Sequence, residues 1–172
     1  MNIIAQILGF IAMGMGILVY QFSRHSTIML IKVCISAVWC VHYGMLGLWP
    51  AVAINVLNVV RDTVFGLREK KNLNSPVIPG FFVVASVVSV LCTWENAWSV
   101  IPMAASIGST IAHWQKQTKR LKICALPGNV LWLIYDIFNN SISGAVNDSF
   151  VIGSITFSLV RIFRGERREK NK

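Results

Sequence analysis

The chain has 172 residues, of which 55% are hydrophobic and only 13% charged, with a mean hydropathy of +0.61. A soluble domain carries about 25% charge, and the deficit here falls in long apolar runs, which argues against a soluble fold. The net charge of +9 does not point to nucleic acid, because the basic residues lie between apolar runs and at the C-terminal end, as in cytoplasmic loops.

Charge, Pro, Gly and Asn cut the sequence into seven apolar stretches, predicting helices over 2–21, 27–47, 49–67, 77–93, 97–114, 121–139 and 142–163. Each is near the ~20 residues that cross a bilayer. The N-terminus has no basic segment or small-residue cleavage site of a secretory leader, so the first stretch reads as a retained span. Arg24 follows the first span; Arg68, Lys70 and Lys71 follow the third. Lys116, Lys119, Arg120 and Lys122 follow the fifth, and Arg164, Arg167, Arg168, Lys170 and Lys172 follow the seventh. The connections after the second, fourth and sixth spans have no Lys or Arg. This alternation predicts an outside N-terminus and a cytoplasmic C-terminus. Cys34, Cys40, Cys92 and Cys124 lie within apolar stretches without metal-ligand spacing, so they read as buried, inert thiols.

At 100° per residue, each helix gathers its polar groups on particular faces. The second aligns Lys32, Ser36, Trp39 and Tyr43; the third aligns Asn55, Asn58 and Asp62, with Arg61 beside them. The fourth has only Ser86, Ser89 and Thr93, which suits a peripheral linker. The fifth aligns Ser99, Pro102, Ser106, Ser109 and His113; the sixth adds Trp132 and Tyr135; the seventh aligns Asn147, Ser154, Ser158 and Arg161. Polar groups are costly in hydrocarbon, so these stripes face each other or a water-filled cavity. For the asparagines, two roles stand open: lining a solute path, or hydrogen-bonding helices together. Lys32, Arg61 and Arg161 either snorkel to the cytoplasmic surface or form a basic gate with Asp62. Asp136 and Asp148 read as solvated near the outer surface, and His113 as interfacial.

The pattern also repeats. Tyr43 to Asn55 and Tyr135 to Asn147 are both 12 residues, and Tyr20-Gln21 and Trp114-Gln115 close the first helix of each triplet. Two three-helix units separated by one extra span form a parallel repeat. In domain terms, one membrane domain comprises a first unit (1–67), a loop and linker helix (68–96), a second unit (97–163) and a basic tail (164–172).

These features resemble the PQ-loop and SWEET superfamily of small-solute carriers. More closely, the chain resembles the YgjV-type bacterial inner-membrane proteins, through residues 42–51 (HYGMLGLWPA), Leu57-Asn58-Val-Val-Arg61, and the stretch from Ser149-Phe150 through Val160-Arg161. The Pro-Gln pair itself is absent, replaced by Tyr20-Gln21 and Trp114-Gln115. The resemblance implies a seven-helix 3+1+3 bundle in the bacterial inner membrane. It also implies a carrier of a sugar-like or other small polar or anionic solute, working by alternating access. Trp39 with Asn55 and Trp132 with Asn147 occupy the positions of the SWEET sugar contacts, while the YgjV-like stretch marks Asn58 instead. Ser36, Tyr43, Arg61, Asp62, Ser106, Tyr135, Ser154 and Arg161 complete the candidate cavity and gates. A receptor or scaffold on the same fold is the alternative. No catalytic motif, metal site or cofactor is read. The expected partners are the bilayer and a small solute, with self-association open and nucleic acid not expected.

Overall fold

The computed structural model describes residues 3–19, 21–68, 71 and 74–170, with the side chains of 169 and 170 left out. Tyr20 of the Tyr20-Gln21 pair, Lys70, Lys172 and residue 2 lie outside the described residues. Among the described residues all regular structure is helical: α1 (Ile3–Val19), α2 (His25–Leu46), α3 (Trp49–Gly66), α4 (Val77–Cys92), α5 (Val100–His113), α6 (Thr118–Phe138) and α7 (Ile142–Lys170). A 3-10 turn, Ala97–Ser99, leads into α5. Among the described residues, three helices are long and apolar enough to cross a membrane: α2, α6 and α7. Helices α1 and α4 are apolar but shorter, at 17 and 16 residues. Helix α7 runs on to Lys170, so the expected basic tail is helical as far as that residue. With 29 residues it is roughly 43 Å long, well over the ~30 Å of hydrocarbon.

The helix ends are set by local chemistry. Gly47 adopts φ = 74°, and the Leu48 N–H then bonds back to the Tyr43 carbonyl at 3.0 Å, the left-handed closure that ends many helices. Pro50 sits in the first turn of α3, where its missing N–H costs nothing. Between α6 and α7 the same closure recurs with Asn140 at φ = 54° and the Ser141 N–H on the Asp136 carbonyl at 2.9 Å. Asn is among the few non-glycine residues tolerating this conformation. Both turns are tight, so α2 folds back on α3 and α6 on α7.

The principal packing forms a closed ring in which α1 touches α2, α2 touches α3, α3 touches α5, α5 touches α6, α6 touches α7 and α7 returns to α1. Helix α4 packs outside, against α3 and α5, with Phe82 edge-on to Phe65 and Ser86 Oγ 2.9 Å from Ser106 Oγ. At the α1/α7 seam, Gly9 faces the Ser143 side chain and Gly16 faces Asn147; small residues let helices approach closely. The polarity of a soluble protein is inverted. Large apolar side chains such as Ile7, Leu30, Val56, Phe81, Val84 and Phe157 are exposed, while buried polar and charged side chains are as numerous as buried apolar ones. Cys34 and Cys92 belong to that exposed surface, contrary to the expectation of buried thiols.

Candidate functional site: a polar cavity inside the bundle

The ring surrounds a partly open cavity of about 100 Å³. Of the sequence-predicted residues, Trp39, Asn55, Asn58, Trp132 and Asn147 all lie on its wall, with Ser36, Tyr43, Arg61 and Asp62. Four others do not reach it. Ser106 turns to α4 through Ser86. Tyr135 is buried beside Trp132, their rings edge-on at 5.8 Å. Ser154 donates to the Ile17 carbonyl at 2.9 Å and accepts from Gln21 Nε2 at 2.9 Å, which places it in a shallow groove between α1 and α7. Arg161 is exposed. The stripe on α7 therefore does not act as one face, because α1 and α6 pack on either side of it.

Much of the wall is built from residues 93 positions apart. Gly16 and Ser109, Lys32 and Ala125, Ile35 and Gly128, and Ser36 and Asn129 form four such pairs. Trp39 and Trp132, Asn55 and Asp148, and Asn58 and Val151 form three more. The two left-handed turns keep the same offset, since Gly47 and Asn140 also differ by 93. In this register Asn55 is matched by Asp148. The spacing from Tyr43 and Tyr135 suggested Asn147, one position off. Asn129, Ser109, Gly16 and Gly128 were not singled out as site residues. Asn129 lies three residues before Trp132, and the 3.6-residue period puts the two on one face.

Towards the basic end of the bundle, Arg61 is buried, not snorkelling. Its Nε is 2.8 Å from Asp62 Oδ1, and the side chains are 2% and 1% exposed. The other guanidinium nitrogens reach Ser109 Oγ at 2.8 Å, Thr110 Oγ1 at 3.2 Å and His113 Nδ1 at 3.1 Å. His113 Nδ1 is also 3.0 Å from Asp62 Oδ1, and this histidine is buried in the α3/α5 seam, not exposed as an interfacial residue would be. Nearby, Arg68 donates to the Trp114 carbonyl at 2.6 Å and stacks 3.6 Å over its ring, a cation–π contact.

At the opposite end, Asp136 and Asp148 are buried as well, which corrects the solvated reading. The Tyr43 hydroxyl donates to both Asp136 oxygens, at 2.9 and 3.1 Å. His42 bridges from the Ala5 carbonyl, 2.8 Å from Nδ1, to Ser141 Oγ, 3.1 Å from Nε2. Gln6 Oε1 accepts from the Ser143 N–H at 3.0 Å. The start of α1 thus covers the ends of α2 and α7. Between the two ends, the rings of Trp39, Tyr43 and Trp132 stack in sequence at 5.4 and 5.7 Å.

An apolar coat around a hydrogen-bonded polar interior, with three helices able to span a bilayer, defines an integral helical membrane protein. Residues 3–166 match the family model Imp-YgjV, described as a bacterial inner membrane protein. The chain belongs to this family, and its place is the bacterial inner membrane. It is similar to the inner membrane protein YgjV of Escherichia coli (strain K12), with 25% identity over 133 residues, covering 77% of this chain and 70% of that protein. No solved structure matches.

Proposed function

We propose that the protein is a carrier for a small polar solute, built from two three-helix repeats, α1–α3 and α5–α7, joined by α4. In this reading all seven helices span the bilayer, with the N-terminus outside and the basic C-terminus in the cytoplasm, and the repeats rock against each other. The observation that carries the proposal is the partly open polar cavity lined from both halves, largely at a constant offset. A pseudo-twofold relation of this kind is how many carriers form a site between repeats. The ring supports it: advancing each helix to its equivalent in the other half turns the α3/α5 seam into the α7/α1 seam. About 100 Å³ is well below the ~300–1,000 Å³ of drug-sized pockets, so the cargo is a compact solute.

A second reading, a receptor that binds without moving its ligand, is favoured by the Arg61 bonds that fasten α3 to α5. Uptake into liposomes separates the two. After a thermal-shift screen identifies a stabilising solute, wild type is expected to show saturable uptake. Asn58→Leu is expected to abolish uptake while melting within about 1 kcal/mol of wild type, because its Oδ1 has no protein partner to lose. Binding without uptake in the wild type would leave the receptor reading.

A further inference from the structure

Hydrogen-bond inventory of the cavity wall specifies the chemistry of what it binds. Four wall residues at least nine-tenths buried each hold a buried side-chain oxygen with no protein partner: Asn58 Oδ1, Asp62 Oδ2, Asn147 Oδ1 and Asp148 Oδ2. The two amide oxygens are acceptors, as are the carboxylate oxygens in their ionised form. Asn147 is oriented by its neighbour, its Nδ2 donating at 2.8 Å to Asp148 Oδ1. Asn55 and Asn129 likewise direct an amide N–H at carbonyls of their own helices, Ala51 at 2.9 Å and Ala125 at 2.7 Å. The main donors nearby are already engaged: Arg61 on Asp62, Ser109 and Thr110, and the Tyr43 hydroxyl on Asp136. Lys32 also lines the wall and stands within electrostatic reach of Asp62 and Asp148, yet the four acceptors are not filled by it.

Buried acceptors without donors are costly, and a solute that supplies donors relieves that cost. The second observation is the Trp39–Tyr43–Trp132 stack on the same wall. Aromatic faces attract organic cations and repel anions. Resting on the reading of the cavity as a solute site, we propose that it binds the ammonium group of a small amine. The three N–H donors of that group meet Asn58 Oδ1 on α3 and Asn147 Oδ1 and Asp148 Oδ2 on α7, beside the indoles of Trp39 and Trp132. The pseudo-symmetry is broken where the charge is needed: Asp148 stands where the other half has neutral Asn55.

The test uses the full chain in lipid nanodiscs, with ethanolamine hydrochloride, ethylene glycol, sodium glycolate and sodium chloride at matched ionic strength. Ethanolamine is expected to bind saturably and raise the melting temperature, with affinity about ten- to a hundredfold above ethylene glycol, as for a hydrogen bond to a charged group. Asp148→Asn is expected to lose most of that margin. Should Asp148→Asn fail to fold, the comparison of charged and neutral probes on the wild type decides alone, and Trp39→Leu is expected to narrow the margin. Equal or tighter binding of ethylene glycol or glycolate would overturn the proposal. So would the same stabilisation by sodium chloride, or no binding by any probe. Uptake of radiolabelled ethanolamine into liposomes is read separately. Binding without uptake supports the ammonium site and removes the carrier, whereas uptake of the diol without the amine overturns the ammonium site and keeps the carrier.

Discussion

Replacing Arg61 by Met is the sharpest perturbation of the interior. The guanidinium faces Asp62, Ser109, Thr110 and His113 at 2.8 to 3.2 Å. Methionine keeps the packing bulk but removes every one of these donors. Asp62 would then keep His113 as its remaining close partner, at 3.0 Å, in a position only 1% exposed. Breaking a buried pair from one side costs about 3–5 kcal/mol. For a chain of this length that corresponds to a melting shift of roughly 6–20 °C, readable by tryptophan fluorescence in detergent. The double variant Arg61→Met with Asp62→Leu removes both charges, so it is expected to recover much of the loss, as apolar replacement of buried pairs commonly does. Melting of Arg61→Met within about 1 kcal/mol of wild type, or a double variant no better than the single, would refute the buried pair and restore a snorkelling arginine.

Tyr43→Phe deletes the hydroxyl that donates to both Asp136 oxygens and is expected to cost about 1.5–3 kcal/mol, measured by the same melting curves. Ser154→Ala, which loses the Ile17 and Gln21 bonds outside the cavity, is expected to cost only about 0.6 kcal/mol and to leave solute binding unchanged. A cysteine placed at exposed Asn96 is expected to react with an impermeant maleimide from the outside of intact cells; reaction only after permeabilisation would reverse the proposed orientation.

The helices were legible because apolar runs are punctuated by charge and turn residues, and bilayer length limits where each can end. The polar face of α3 was legible for the same reason: Asn55, Asn58 and Asp62 keep a helical period, and all three line the cavity. Period fixes which residues share a face but not which neighbour that face meets. Ser106 and Ser154 each keep the period of their helix and turn to α4 and α1 instead. The burial of Asp136 and Asp148 had no local signal. For Asp136 it comes from chain-distant groups, Tyr43 on α2 and the start of α1 at Ala5 and Gln6, which close over that end of the bundle. The one-residue slip between Asn147 and Asp148 has a similar origin. Counting from Tyr135 fixes a spacing, whereas the left-handed turn at Asn140 fixes the register, and only the turn matches Gly47.

A polar interior in a membrane bundle is ambiguous by itself, because hydrogen bonds between helices and contacts to a solute use the same residue types. What separates the two roles is whether each group is already satisfied. His42, Tyr43, Lys122 and Arg61 hold partners on other helices or at their ends: Ala5 and Ser141, Asp136, Ser158, and Ser109 with Thr110. These groups fasten the ring, concentrated at its two ends. The wall between the ends differs. Asn55 and Asn129 bond back to their own helices, and Asn147 bonds to its neighbour Asp148, so none of these amides joins one helix to another. An amide used as structural glue would cross a seam. Amides that keep to their own helix, with a buried Asn147 oxygen left without a protein partner, fit the proposed solute site better than they fit a seam.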